Sequence, residues 1–166
     1  MSLRMLFDEA TVGEMMTAWP AKPALHTPPD DSRVRSIVTA ELINTYLDTG
    51  TAPADQLIVI KDGAALHSRA YTTDGYVDPG KIAKWRGRGY TIQLRNLHRW
   101  CPAVHAICSA IQNETGYGSY ATGFVTPPSR RAGPVSPLGP EHGLHLPGSR
   151  PQDLAALGAR GRRTTQ

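Results

Sequence analysis

Apolar side chains in three segments of the chain recur with the spacing of amphipathic helices. In DEATVGEMMTAWP, Asp8 is a potential N-cap, and apolar residues follow at i, i+3, i+4 and i+7 until Pro20 ends the pattern. In AELINTYLDTG, Thr39 is the potential cap and Gly50 the stop signal. The third segment lies between Pro102 and Gly116, and its apolar stripe consists of Val104, Ile107, Cys108 and Ile111. A fourth helix is predicted over DPGKIAKW.

Other segments have the composition or the alternation of strands. QLIVIKDGAALHSRAYTT predicts two strands joined at Lys61-Asp62-Gly63, because an Asp-Gly pair accepts the positive φ angles of a tight hairpin. YTIQLRN alternates, with Tyr90, Ile92 and Leu94 on one face, and SYATGFVTP places Tyr120, Thr122, Phe124 and Thr126 on one face. Helices, hairpins and returning strands in this mixture predict an α+β fold built around an antiparallel sheet.

The pattern stops after Pro128 and divides the chain into residues 1–128 and residues 129–166. The second part has no aromatic residue, no Ile and no Met, and it contains five Pro and six Gly. Such a segment cannot bury enough apolar surface to offset a backbone ordering cost of about 1–2 kcal/mol per residue. We therefore expect residues 129–166 to be a disordered Pro/Gly/Arg-rich tail.

The net charge of +4 belongs entirely to this tail. Residues 1–128 contain twelve Lys or Arg and twelve Asp or Glu, whereas residues 129–166 contain six Lys or Arg against two acids. The basic residues of the tail are sparse and have no aromatic neighbours, so the sequence does not favour a nucleic-acid partner.

Membrane and disulfide chemistry are not expected from the sequence. No run approaches the roughly 18 apolar residues of a transmembrane helix, and the acids near the N-terminus argue against a signal peptide, so a cytoplasmic protein without a membrane partner is expected. Cys101 and Cys108 lie two helical turns apart and form no CxxC pattern, which predicts buried free thiols.

The front of the chain resembles the JmjC-type cupin proteins of the bacterial ribosomal-oxygenase class. The resemblance covers about residues 12–128 and lies in the order of TAWPAKPALH, IVIKDGAAL, DPGKIAKWRGRGYTIQLRNLHRWCPAV, AIQNETG and YATGFVTPP. It implies an Fe(II)- and 2-oxoglutarate-dependent hydroxylase of a protein side chain or small molecule, on a double-stranded β-helix. The family's iron is held by a His-x-Asp and a second His, which leave positions for 2-oxoglutarate and O₂.

The resemblance breaks immediately after Thr126-Pro127-Pro128. The family pattern continues with Gly-x-Gln, four residues and His-x-Asp, whereas this chain continues SRRAGPVSPLGP and contains no His-x-Asp anywhere. The sequence therefore predicts the N-terminal portion of a JmjC cupin domain with an incomplete barrel and no iron ligands. On this interpretation the polypeptide as written binds neither iron nor 2-oxoglutarate and is inactive.

A shifted reading frame explains where the pattern is lost. In the hypothesis, each original codon consists of the last two bases of one codon of the present frame and the first base of the next codon. For example, if Leu138 is encoded by CTG and the next codon begins with G, the original codon is TGG, which encodes Trp. In this way residues 132–156 can encode Gln-Ala-Arg-Ser-His-His-Trp-Asp-Gln-Ser-Met-Ala-Phe-Ile-Phe-Gln-Val-Ala-Gly-Arg-Lys-Thr-Trp-Arg-Leu, which contains the missing motif in register. The hypothesis is a frameshift between Pro128 and Ala132, in the gene or in its sequencing.

Three positions are candidates for the wall of the 2-oxoglutarate pocket that the resemblance implies. They are Thr122, Phe124 and Thr126. At the first two positions the family typically has Asn and Tyr. Phe124 cannot supply the hydrogen bond of a Tyr, whereas Thr122 still has a hydroxyl that can donate one. The alternative for both residues is that they pack on one face of a barrel strand.

No histidine of the chain is expected to bind metal. His142 and His145 lack a carboxylate between them, His98 and His105 are expected in surface or capping roles, and His26 and His67 fall in predicted strands. A local group of basic side chains is expected to lie on a solvated face; it consists of Arg86, Arg88, Arg95 and Arg99. A role in contacting substrate stays open for Arg95.

Two further functions stay open beside the enzyme family. One is a non-catalytic remnant or protein-binding module, which self-associates through the sheet edge that the missing strands leave open. The other is a nucleic-acid binder that uses the basic tail. The incomplete barrel also predicts that Ile92, Leu94 and Val125 lack their partner sheet, and hence poor solubility or dimerisation.

Overall fold

A computed structural model describes residue 4, residues 6–18 and residues 36–127. The α-helices whose two ends lie in this part of the chain are α1 (Glu9–Ala18), α2 (Ala40–Asp48), α3 (Pro79–Gly87) and α4 (Pro102–Thr115). The strands are β1 (Leu57–Lys61), β2 (Ala64–Ala65), β3 (Thr72–Thr73), β4 (Tyr76–Val77), β5 (Thr91–Leu94) and β6 (Gly123–Val125). The predictions for residues 129–166 and for His26, His142 and His145 lie outside the described residues.

Four of the strands form one antiparallel sheet in the order β2-β1-β5-β6. Strands β3 and β4 form a separate hairpin. Helices and antiparallel strands of this kind confirm the predicted α+β class. None of the helices in the described ranges is long and apolar enough to cross a membrane.

Local capping signals place the helix ends where the sequence predicts them. The Thr39 side chain accepts a hydrogen bond from Leu42 N, and the Asp78 side chain accepts one from Lys81 N, so each caps the first turn of its helix. Helix α4 ends at Gly116, whose φ of 75° is the left-handed conformation that glycine adopts without strain. The Asp62-Gly63 turn also has positive φ angles, as the hairpin prediction requires.

Two strand predictions are wrong in extent. The second strand of the first hairpin covers Ala64–Ala65, and a 3-10 helix at Ser68–Ala70 interrupts the remainder, with His67 as its cap and not in a strand. The last strand is confined to Gly123–Val125. Alternation in sequence does not show where pairing stops, because pairing depends on a distant strand.

The core lies between one face of the sheet and the helices. Leu57, Val59, Ile92 and Leu94 are fully buried on this face, and Leu47, Ile82, Val104 and Cys108 belong to the same cluster. Val125 packs against it. In place of the partner sheet that the resemblance implies, side chains from α2, α3 and α4 cover this face.

Both cysteines are free and buried, as expected. Cys101 is the residue before α4, and Cys108 lies within the helix. Burial raises the pKa of the Cys108 thiol, and a hydrogen bond with Ser119 opposes that effect. A neutral buried thiol of this kind packs as a small apolar group.

Candidate functional site

The second face of the sheet carries the positions that the resemblance implies. Antiparallel partners share a face, and Gln93 pairs with both Ile58 and Phe124, while Thr91 pairs with Ile60. Phe124 is 42% exposed on this face, whereas Ile60 is buried. The face therefore changes from half-buried Ile58 and buried Ile60 on β1 to an exposed aromatic side chain on β6.

Thr126 lies immediately after β6 and contacts the neighbouring strand β5. Its hydroxyl is 3.2 Å from the hydroxyl of Thr91, which is 8% exposed. In a pair of hydroxyls one donates to the other, and the accepting hydroxyl keeps its own hydrogen for another acceptor. The pair therefore retains one donor that a bound ligand can use.

A shallow cavity of about 380 Å³ opens beside Thr126. It is lined by Ala83, Arg86, Val125, Thr126 and Pro127. The Arg86 guanidinium donates to Asn44 Oδ1 at 3.0 Å, a contact that holds the side chain between α2 and α3. A guanidinium has five N–H donors, so most of them remain for a carboxylate.

The three predicted pocket residues do not all reach this cavity. Thr126 lines it, Phe124 is exposed on the sheet face opposite Gln93, and Thr122 is half-buried just before β6. Arg86 was expected on a solvated face and instead lies at the cavity. The pattern of α3 gives no sign of this role, because the hydrogen-bond partner of Arg86, Asn44, lies 42 positions away in the chain.

Arg95 follows β5 at the end of the strand opposite to the cavity. Its guanidinium donates to Asp55 O at 3.3 Å, and its backbone N–H donates to Gln56 O. Thr91 and Thr126 lie at the other end of β5. A shared role of Arg95 and the cavity toward one small ligand is therefore not supported by this arrangement.

The described residues do not supply a metal centre. Within the described ranges there is no group of three or more His, Cys, Asp or Glu side chains placed to hold a metal ion. The His98 Nδ1 accepts from Ala121 N at 3.4 Å, and the His67 Nδ1 accepts from Arg69 N at 3.2 Å, so both rings serve backbone groups. The described side chains therefore do not provide the two His and one carboxylate that hold Fe(II) in such oxygenases.

No family model matches the sequence, and no curated protein matches it.

Proposed function

We propose that this chain is the front portion of a JmjC-type cupin oxygenase whose iron-binding segment has moved into another reading frame. The observation that carries the proposal is the order of motifs that ends at Thr126-Pro127-Pro128, followed in the shifted frame by Gln, four residues and His-Trp-Asp. A single matching position has little weight because codons are degenerate. A complete motif at the correct distance from Thr-Pro-Pro is much stronger support.

The arrangement of the sheet supports the proposal. Strand β6, which leads into Thr-Pro-Pro, lies at one edge of the four-stranded sheet and pairs with β5 on one side. A barrel is built by adding strands at such an edge. The next strands of a cupin barrel would therefore follow β6 directly, which is where the resemblance ends.

The chemistry of the chain as written follows from its donors. Fe(II) with 2-oxoglutarate would supply oxygen activation, but the His-x-Asp that holds the metal is absent from the sequence. The cavity at Arg86 and Thr126 offers a guanidinium and a hydroxyl, which suit a carboxylate and not a metal ion. The polypeptide is therefore proposed to be inactive as an oxygenase, whatever protein side chain or small molecule the intact enzyme hydroxylates.

A second candidate function is a protein-binding module. The observation that favours it is Phe124, an exposed aromatic residue on an edge strand. Edge strands pair readily with other chains, and exposed aromatic residues supply much of the binding energy at interfaces. A second copy of this chain is the simplest partner of this kind.

The proposal is tested by a turnover assay with two proteins. One is the chain as written, and the other is produced from the gene with the frame restored between the codons for Pro128 and Ala132 and read to its next stop codon. Each is incubated with Fe(II), 2-oxoglutarate and ascorbate, and succinate is measured. We expect succinate above the metal-free control from the restored protein alone. Succinate from the chain as written would contradict its inactivity, and a restored sequence without His-x-Asp would contradict the family assignment.

A further inference from the structure

Two aromatic side chains meet where α3 ends and β5 begins. The rings of Trp85 and Tyr90 are in an edge-to-face arrangement with centroids 4.9 Å apart. The indole N–H of Trp85 donates to Ala70 O at 2.9 Å, which fixes the orientation of the ring. Both side chains are half-buried, so they form a rigid base at this end of the sheet.

Three cations lie over these two rings, and we call them the basic cluster: Lys61, Lys84 and Arg88. The Lys61 Nζ is 4.9 Å from the Tyr90 centroid, while the Lys84 Nζ and the Arg88 guanidinium carbon are 5.6 and 5.2 Å from the Trp85 centroid. Cations at these distances are attracted by the electron-rich ring faces. The contacts hold flexible side chains together on one small surface.

The basic cluster has no carboxylate partner among the described residues. The salt bridge found there joins Arg4 to Glu9, at a distant place in the sequence. Residues 79–113 contain six Lys or Arg and no Asp or Glu, so the neutral charge balance of residues 1–128 conceals an uneven distribution. An uncompensated group of cations produces a positive potential that attracts anions.

Hydrogen bonds within the fold do not occupy every side chain of the basic cluster. Nearby Lys81 donates to Thr72 O and to the Thr73 hydroxyl, so its charge is used within the fold. Lys61 donates to the carbonyl of Arg88 at 2.9 Å and helps to close the end of α3. The side chains of Lys84 and Arg88 are exposed and free of such a contact in the described part of the chain.

We propose that the basic cluster binds the phosphates of single-stranded nucleic acid. Sites for single strands combine basic side chains with aromatic ones and include cation–π contacts, and cations that are ordered in advance lose less entropy on binding. The cluster is compact, which suits a flexible single strand better than the straight, rigid phosphate rows of a duplex. This proposal does not depend on the oxygenase assignment. It replaces the expectation, drawn from the sparse basic residues of the tail, that nucleic acid is not a partner.

The test is fluorescence anisotropy of the full chain with a labelled twelve-nucleotide oligouridylate. Three phosphate contacts predict a slope of log K against log salt of about −2, and therefore roughly a twentyfold loss of affinity between 50 and 200 mM salt. The double variant Lys84→Gln/Arg88→Gln removes two contacts and should make the slope shallower by about 1.4. A charge-preserving exchange, Lys84→Arg/Arg88→Lys, should retain binding.

The matched control is Arg95→Gln/Arg99→Gln, which removes the same charge at the opposite end of β5 from Tyr90. All variants keep the basic tail, and their folding is checked by circular dichroism. Loss of binding in the cluster variant with retention in the control supports the proposal. Equal loss in both variants, binding unchanged in the cluster variant, no binding by the wild-type chain, or equal affinity for a duplex of the same length would overturn it.

Discussion

Single side chains connect this fold across loops as well as within helices. The buried hydroxyl of Tyr71 donates to Leu57 O at 3.0 Å, and the indole of Trp85 donates to Ala70 O. These bonds fix the segment between β2 and α3, which contains a 3-10 helix and the short β3–β4 hairpin. The caps at Thr39 and Asp78 could be predicted from sequence because they act within one turn, whereas the Tyr71 and Trp85 contacts join residues about 15 positions apart and leave no local pattern.

The Asp78 cap makes stability depend on pH. Hydrogen bonds from Lys81 N and then from the Thr73 hydroxyl hold the pKa of this carboxyl below its usual value of 3.8. Because the folded-state pKa is the lower one, the stabilisation is present above the unfolded-state pKa and is lost as pH falls through the folded-state pKa. Asp78→Asn keeps a cap that does not titrate.

We therefore expect the melting temperature of wild type to fall more steeply than that of Asp78→Asn as pH decreases from 5 to 2.5. The comparison is made by thermal melts of both proteins in the same buffers, so that other carboxylates contribute equally. Parallel curves over this range would show that the Asp78 carboxylate does not stabilise the fold.

At the scale of elements, β5 is the strand that joins the sheet to the helical layer. It pairs with β1 on one side and β6 on the other, and its buried residues Ile92 and Leu94 contact the cluster formed with the helices. The sequence predicted this strand and its apolar face correctly. It did not predict that the helices cover that face, because the packing of helices on a sheet is a long-range arrangement.

Shortening a core side chain of β5 should have a large effect. Ile92→Ala removes buried methyl groups from a fully buried position and is expected to lower the free energy of unfolding by about 3 kcal/mol. The control is Ile111→Ala on α4, where the side chain is only half-buried and a smaller loss is expected. Urea denaturation measures both, and equal losses would contradict the position of Ile92 in the core.

For the whole molecule, the edge formed by β6 is the feature from which we expect association in solution. The apolar inner face is covered, so within the described ranges the features that favour association are the edge strand β6 and the exposed Phe124. The candidate cavity lies beside the same edge and joins Arg86 to Thr126. It could not be predicted from sequence, since its two polar groups meet only when α3 packs next to the end of β6.

We expect the chain to form dimers whose fraction rises with concentration. Phe124→Lys should shift the protein to monomer, because a charge on an edge strand opposes pairing. The control Tyr117→Lys places the same charge at a 58% exposed residue outside the sheet and should leave association unchanged. Analytical ultracentrifugation measures the distribution, and a monomer at all concentrations with a sharp cooperative melt would contradict this account.

The central claim is that a JmjC-type iron motif lies in a second frame directly after Pro128. It is tested most directly by reading the coding DNA from the Pro128 codon to the Leu157 codon. We predict a shifted frame without stop codons that encodes His-His-Trp-Asp across Ser136 to Gly139, with His-Trp-Asp read from Pro137 to Gly139 and Leu138 encoded by CTG. A stop codon in that frame, or codons that give no His-x-Asp there, would contradict the claim.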